Sequence, residues 1–273
     1  MLYRRSRDVV AVRGPDAEAY LQGQLSQDVA ALADGASGWS FLLQPTGKVD
    51  AWLRVTRRGE GDYILDVDSG FGGAVQDRLR RFLLRTDCVV EALGWEVATL
   101  LQASPPDTPP GGVVIELDWP DLAAFDLVAP EVSVPAGLQV GDAGPWEEVR
   151  IRAGIPAMGS EIDENTIPNA TGQVERSVSF TKGCYTGQEL VARIDSRTAG
   201  APTRLVRVDG TGEAPPVGAQ LWSDGGQVGH LTSVVSTDGG FHALGYRKRS
   251  ALEIDSAEAH WEGGRGSVVL RSA

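Results

Sequence analysis

The chain has 273 residues, of which 42% are hydrophobic and 23% charged, so we expect a globular protein rather than a disordered one. Its formal net charge of −12 argues against broad nucleic-acid binding, because a negative surface repels phosphates. No apolar run approaches the roughly 18 residues of a membrane-spanning helix, and two cysteines cannot form the disulfide framework of a small secreted protein. We therefore predict a reduced, cytoplasmic protein.

The N-terminal part of the chain combines strand and helix patterns. The apolar run at residues 9–12 predicts a strand, and Pro15 and Asp16 then occupy the favoured first turn of a helix. Alternating runs on either side of residues 44–48 predict a hairpin with a Pro/Gly turn.

Residues 71–84 predict an amphipathic helix. We expect its apolar side chains to face inward: Val75, Leu79, Phe82 and Leu83. We expect its arginines to be solvated rather than to anchor an anionic ligand: Arg78, Arg80, Arg81 and Arg85.

The middle of the chain begins with a Pro/Gly-rich connector at residues 104–112. Strands are predicted at residues 113–117 and 124–128. Residues 145–152 predict a helix, because acidic residues come first and basic residues last, which matches the helix dipole. This helix is expected to end at Gly154.

The most informative stretch is Lys182-Gly183-Cys184-Tyr185-Thr186-Gly187-Gln188-Glu189. The preceding residues 178–180 predict a short strand. Thr186 and Glu189 have the spacing of a capping box, so Thr186 is predicted to open a helix. Cys184 would then lie near unpaired helix amides and two residues from Lys182, which both favour the thiolate, the nucleophilic and metal-binding form. The alternative is that Cys184 is a small buried residue beside a glycine turn.

The C-terminal part follows a linker predicted at residues 197–202. Short strands and Gly-rich turns from residue 203 onward predict a small barrel or sandwich. The predicted strands are residues 204–208, 220–222, 227–235, 241–246, 257–261 and 267–270. The three histidines are irregularly spaced, and no spacing typical of a protein-only zinc or iron–sulfur site is present.

The KGCYTGQE stretch and the four residues after it, 190–193, closely resemble the signature of the YgfZ family. These are folate-binding proteins tied to iron–sulfur cluster assembly and repair, and they are related to the aminomethyltransferase of the glycine cleavage system (GcvT). Other segments also resemble the family: residues 14–17 and 21–29, Gly47 and Lys48, and residues 150–156, 159–162 and 167–171.

The resemblance implies an α+β fold of GcvT-like architecture, a ring of three subdomains. The implied boundaries are residues 1–95, residues 96–200, which carry the KGCYTGQE segment, and residues 201–273, which form a small β-barrel. Tetrahydrofolate is the implied cofactor, held in the central opening.

The resemblance also implies the site residues. Cys184 is the expected key residue, and Lys182 is expected to tune it. The implied cofactor-binding residues are Gln24, Asp28, Lys48, Arg152, Gly154, Tyr185, Gln188 and Glu189.

One departure concerns the reaction. Aminomethyltransferases usually carry two aspartates shortly after the hairpin turn, and here those positions align with Ala51 and Trp52. The carboxylate expected to assist one-carbon transfer is therefore missing unless Asp50 replaces it, which argues against glycine-cleavage activity. We therefore expect a tetrahydrofolate-binding protein of iron–sulfur cluster assembly or repair, whose reaction is open.

Two alternative functions are retained from the sequence. One is a folate-dependent one-carbon transferase of the glycine cleavage type. The other is a non-catalytic folate- or tRNA-binding accessory protein in tRNA modification, although the acidic balance argues against the tRNA version. The expected partners are folate and iron–sulfur client enzymes or assembly factors, with neither nucleic acid nor membrane.

Overall fold

The structure, a computed structural model, describes residues 1–102, 104–119, 122–134, 137–141, 143–197 and 200–273. The chain forms two compact units. Unit 1 comprises Met1–Ala143 and Val174–Glu189, and unit 2 comprises Gly144–Gln173 and Leu190–Ala273. The implied boundaries at residues 95 and 200 do not coincide with these units, and the three-part division stays a prediction. Two residues of the predicted linker, Thr198 and Ala199, lie outside the described residues.

Unit 1 contains two five-stranded sheets. In chain order its strands are β1 (Leu2–Arg5), β2 (Arg7–Arg13), β3 (Ser37–Leu43), β4 (Val49–Gly59), β5 (Asp62–Asp68), β6 (Val89–Leu93), β7 (Glu96–Leu101), β8 (Val113–Glu116), β9 (Ala124–Ala129) and β10 (Val140–Gly141). The first sheet has the order β3-β4-β5-β2-β6, and the second has the order β10-β1-β7-β9-β8. The N-terminal strand β1 therefore belongs to the second sheet, where it pairs with β7.

The α-helices are α1 (Ala17–Gln24), α2 (Gly72–Arg81), α3 (Ala143–Ala153), α4 (Val174–Ser177) and α5 (Gln188–Asp195), and the 3-10 turns are Pro168–Ala170 and Arg249–Ala251. The helix predicted at residues 145–152 is confirmed by α3, which is followed by Gly154 at φ +74°. Within the described ranges, no helix is both long enough and apolar enough to cross a membrane.

Helix α2 is shorter than its apolar pattern predicts. Val75 and Leu79 are buried as expected, but the helix ends at Arg81 and Phe82 is 39% exposed. The inward orientation expected for Phe82 is therefore wrong. The chain leaves the helix there and turns at Arg85, which has the left-handed φ of +57°.

Unit 2 contains a closed six-stranded barrel. Its strands are β11 (Thr203–Thr211), β12 (Gln220–Ser223), β13 (Gly226–Thr237), β14 (Gly240–Lys248), β15 (Ser256–Trp261) and β16 (Gly264–Ser272), in the order β11-β14-β13-β12-β15-β16. The barrel predicted from residue 203 onward is confirmed. Its interior is filled by alternate strand residues such as Val208, Leu221, Phe241 and Leu270.

Gly210 on β11 makes room for the Phe241 ring inside this barrel. A Cβ atom at Gly210 would lie 2.3 Å from two carbons of that ring. No real Cβ contact is that short, so either the ring or the strand would have to move.

We expect Gly210→Ala to lower the free energy of unfolding by about 1–3 kcal/mol, because the added methyl group overfills the barrel. Urea denaturation followed by tryptophan fluorescence measures the change. Gly239→Ala is the matched control, since a Cβ there meets no atom within 4 Å in the described part of the chain. Equal stability of the two variants would contradict this account of the barrel core.

A buried ion-pair network joins the two sheets of unit 1. Arg54 on β4 is 2% exposed and pairs with Asp66 on β5 at 2.9 Å and with Asp126 on β9 at 2.8 Å. Arg7 on β2 pairs with Asp66 at 2.6 Å and with Asp68 at 2.7 Å. Burial alone would raise the pKa of Asp66, but the guanidinium groups, that of Arg54 first, hold its pKa below the usual value.

Removal of one partner from this network should substantially lower the free energy of unfolding. We expect Asp126→Ala to lower the free energy of unfolding by about 3–5 kcal/mol, because Arg54 keeps a buried charge that has lost one of its two carboxylates. Glu91→Ala, which breaks the solvent-exposed pair between Arg13 and Glu91, should cost less than about 1 kcal/mol. Thermal and urea unfolding measure both, and a similar cost for the two would argue against a structural network.

Candidate functional site

The KGCYTGQE segment lies in unit 1, in the loop between α4 and α5 and in the first residues of α5. The strand predicted at residues 178–180 is wrong. Val178 instead donates its amide to Val174 at the end of the α4 turn, and Ser179 donates to the carbonyl of Ser26 at 2.9 Å. Ser177 and Val178 are both buried. The segment around Ser26, and not a sheet, holds the backbone of Ser177 and Ser179.

Helix α5 begins at Gln188, one residue later than the capping-box spacing predicts. The reason is Gly187, whose φ of +81° is not helical. A Cβ at Gly187 would lie 2.5 Å from the carbonyl oxygen of Gln44, so only glycine fits against the hairpin turn. Thr186 is therefore not the helix cap, and its amide donates to the carbonyl of Gly23 at 3.2 Å.

Lys182 connects the loop to the end of α1. Its Nζ lies 2.7 Å from each of three main-chain carbonyl oxygens, those of Gln22, Leu25 and Gln27. Burial lowers the pKa of Lys182 to about 8, opposed by the nearby Asp28, so the group is protonated at neutral pH. Three N–H donors meet three acceptors, and the ammonium is directed at the turn after α1. The predicted influence of Lys182 on Cys184 stays a prediction.

Cys184 is exposed. This contradicts the alternative interpretation of Cys184 as a small buried residue. The thiol lies four residues before the first residue of α5, which is farther from the helix than the capping box implied. The other cysteine, Cys88, is half-buried, and burial followed by the charges of Asp16 and Asp87 raises the pKa of its thiol.

Tyr185 and Gln188 fix the end of the loop beyond the thiol. The amide of Tyr185 donates to Oε1 of Gln188 at 3.1 Å. The Tyr185 ring is buried, which raises its pKa to about 12, and the ring centroid lies 5.2 Å from Lys182 Nζ. Glu189, in the first turn of α5, is exposed to solvent.

Gln24 takes part in a polar cluster around Arg78. The Arg78 guanidinium donates to Gln24 at 3.2 Å, to Asp50 at 3.1 Å and to the Leu43 carbonyl at 3.1 Å. The Arg78 side chain is only 10% exposed, so the prediction of a solvated arginine is wrong at this position. Asp50, the carboxylate left to replace the missing aspartates, is therefore paired with a cation.

The aligned positions Ala51 and Trp52 belong to the core of unit 1. Trp52 stacks on Trp39 with ring centroids 4.1 Å apart, and its indole donates to Oγ of Ser177 at 3.0 Å. Trp119 meets both rings edge-on, at 6.1 and 6.2 Å. This tryptophan cluster was not found from the sequence, because the three residues carry no shared motif and Trp119 comes from a segment distant from the hairpin that holds the other two.

Asp28 and Lys48 are also in unit 1, Asp28 near Lys182 and Lys48 in the hairpin turn. Asp28 accepts a hydrogen bond from Gln22 Nε2 at 2.8 Å. Lys48 is half-buried in the hairpin turn, where its carbonyl accepts the amide of Gln44. The turn that carries Lys48 is therefore the one against which Gly187 packs.

Arg152 and Gly154 belong to unit 2. The Arg152 side chain is largely exposed and lies 3.7 Å from Glu148, while its carbonyl accepts a hydrogen bond from Arg207 at 3.1 Å. Gly154 is buried, and a Cβ there would lie 3.2 Å from the backbone of Ala273. Both residues thus have structural contacts within this unit.

Glu161 in unit 2 is a buried carboxylate that sequence reasoning missed. It is 2% exposed, pairs with Arg150 at 3.0 Å and accepts hydrogen bonds from Thr232 at 2.7 Å and Ser233 at 2.6 Å. Tyr246 donates to its main-chain carbonyl at 2.8 Å. Thr232 and Ser233, which are adjacent in β13, gave no signal in the sequence that a buried carboxylate lies beside them.

Comparison with known proteins adds to this geometry. No family model matches the chain. An uncharacterized protein of Haemophilus influenzae is 29% identical over 237 residues, which cover 85% of this chain and 82% of that protein. The "tRNA-modifying protein YgfZ" of Yersinia enterocolitica is 27% identical over 263 residues, covering 85% and 79% of the two chains.

A crystal structure of the glycine cleavage system aminomethyltransferase T from Bartonella henselae has the same fold, with a TM-score of 0.78. It is 19% identical in sequence, and the match covers 99% of this chain and 84% of that one. The chain is thus similar in sequence to YgfZ proteins and in fold to this aminomethyltransferase. The predicted α+β fold of GcvT-like architecture with a C-terminal barrel is confirmed for this YgfZ-like chain.

We expect Lys182→Met to lower the free energy of unfolding by about 1–3 kcal/mol, because three carbonyl oxygens lose a charged donor while the apolar stem is kept. Lys248→Met is the matched control, since exposed Lys248 donates to one carbonyl, that of Gln227, and should change stability by less than about 0.5 kcal/mol. Urea denaturation measures both. Equal stabilities would show that the Lys182 contacts do not hold the loop.

Proposed function

We propose that the chain is a tetrahydrofolate-binding YgfZ-like protein that supports the assembly or repair of iron–sulfur clusters, with the Cys184 thiol as its key group. The observation that carries the proposal is an exposed thiol on a loop whose backbone is held on both sides. Lys182 fixes the loop to the turn after α1, and Gly187 packs against the hairpin turn.

A thiol in this position is suited to chemistry with an external partner. The reactive form of cysteine is the thiolate, which attacks electrophiles and binds metals, and it must be accessible to do either. Cys184 meets the requirement of access and Cys88, with its burial and raised pKa, does not. The proposal therefore assigns the reaction to Cys184, whether its partner is a one-carbon species, a sulfur species or iron.

Tetrahydrofolate fits a feature of unit 2. Two buried amide oxygens, Oδ1 of Asn169 and Oε1 of Gln173, accept no hydrogen bond from any residue in the described ranges. Unpartnered buried acceptors are uncommon and call for a donor. The pterin ring carries N–H donors, so we propose Asn169 and Gln173 as the residues of unit 2 that would hold the folate, which would supply a one-carbon carrier.

A glycine-cleavage type of reaction is not favoured by this geometry. The positions expected to carry carboxylates are Ala51 and Trp52, both buried, and Asp50 is paired with Arg78. The related aminomethyltransferase therefore supports the fold of this chain and not its reaction.

A role in tRNA modification is the second candidate, favoured by the name of the YgfZ relatives. The net charge of −12 argues that such a role is indirect, through the enzymes that the protein supports, because direct tRNA binding needs a positive surface. Measuring iron–sulfur enzyme activities and tRNA nucleosides in the same bacterial strains separates the two candidates.

We expect Cys184→Ala to reduce the activity of iron–sulfur enzymes to the level found in a bacterial strain that lacks the protein, while Cys88→Ala retains the wild-type level. The reason is that the Cys184 thiol is exposed, whereas that of Cys88 is half-buried with a raised pKa. Iron–sulfur enzyme activities in complemented strains measure the effect, and mass spectrometry of tRNA nucleosides from the same strains measures the second candidate.

Two controls accompany this experiment. Isothermal titration with tetrahydrofolate should show binding to wild type and to Cys184→Ala alike, if the thiol reacts and does not shape the folate site. Iodoacetamide should modify Cys184 faster than Cys88 in the folded protein. Full enzyme activity with Cys184→Ala would eliminate the proposed role of the thiol.

A further inference from the structure

The outer surface of the C-terminal barrel carries two adjoining cavities. The larger has a volume of about 720 Å³ and lies on the neighbouring strands β12, β15, β16 and β11. The smaller has a volume of about 480 Å³ and lies beside the segment that leads into β12. Both volumes are within the range of about 300–1,000 Å³ that is typical of ligand sites.

The two cavities share an aromatic ridge formed by Trp222 and His260, which line both. The two rings stack with their centroids 5.6 Å apart and their planes 15° from parallel. Oε2 of Glu258 lies 3.0 Å from Nε2 of His260, so a carboxylate stands beside the ridge. The ridge is thus a flat aromatic surface with an adjacent negative charge.

The linings of both cavities combine apolar and acidic side chains. Val269 is 44% exposed in the larger cavity and Val217 is 64% exposed in the smaller one. Asp224 and Glu258 line the larger cavity, and Glu262 lines the smaller. All lining residues fall in the described ranges, and none of them is lysine or arginine. The lining itself is therefore negatively charged and favours a cation, and the charged residue paired with His260 on the neighbouring strand is Arg265.

We propose that this groove, defined by Trp222, Glu258, His260 and Glu262, binds an extended polypeptide segment that carries arginine between small apolar residues. A guanidinium stacks on aromatic faces and pairs with carboxylates, so it matches both elements of the ridge. An extended strand places alternate side chains on one side, which suits two cavities separated by a ridge. This inference goes beyond the proposed function, since it concerns a face of the barrel remote in sequence from Cys184.

The experiment uses the full chain and a fluorescently labelled six-residue peptide of alternating alanine and arginine. We expect fluorescence anisotropy to show at least about tenfold tighter binding of this peptide than of the same peptide with glutamate in place of arginine. Trp222→Ala should weaken binding roughly fivefold to tenfold by removing the stacking surface. Glu258→Gln should weaken it about threefold and reduce its salt dependence.

The matched control is Glu213→Gln, which removes the same charge from an exposed barrel residue that lines neither cavity. Binding to this variant should equal that to wild type, which distinguishes the groove from general attraction to an acidic protein. If circular dichroism shows that Trp222→Ala does not fold, the peptide affinities of Glu258→Gln and Glu262→Gln are compared with that of Glu213→Gln instead. The proposal is overturned if both peptides bind alike, or if the groove variants and Glu213→Gln have the same effect.

Discussion

The buried guanidinium of Arg54 is the interaction on which unit 1 depends. It extends from the first sheet to Asp66 of the same sheet and to Asp126 of the second, with hardly any contact with water. Two sheets that pack through apolar residues alone can slide, whereas an ion pair in a low-dielectric interior has one geometry and a high cost when it is broken. The network therefore sets the relative position of β4 and β9.

This network also supports the loop that carries the thiol. Trp39 lies over both Arg7 and Arg54, at 5.7 and 5.6 Å from the ring centroid. Trp52 stacks on Trp39 and donates to Ser177, which precedes the KGCYTGQE segment. A continuous series of contacts thus connects the charges between the sheets to the start of the KGCYTGQE segment. This end of the segment is therefore held from the interior of unit 1.

Much of the fold follows from patterns in the sequence, and the details of the site do not. The helix at residues 145–152 and the C-terminal barrel were predictable because alternation, turn residues and charge placement all agree there. The strand at residues 178–180 and the cap at Thr186 were predicted from local spacing, but contacts with Ser26, Gly23 and Gln44 decide the structure. The sequence likewise predicts Arg78 to be a surface residue, because its contacts with Asp50 and Gln24 form only in the folded chain.

The bonding of Lys182 has a consequence for how this protein can diverge. All three acceptors are main-chain oxygens, so the contact specifies the path of the backbone after α1 and places no demand on which side chains stand at positions 22, 25 and 27. Substitutions at these three positions would leave the acceptors of Lys182 in place. They would be limited instead by the side-chain hydrogen bonds of Gln22 and Gln27 and by the complete burial of Leu25.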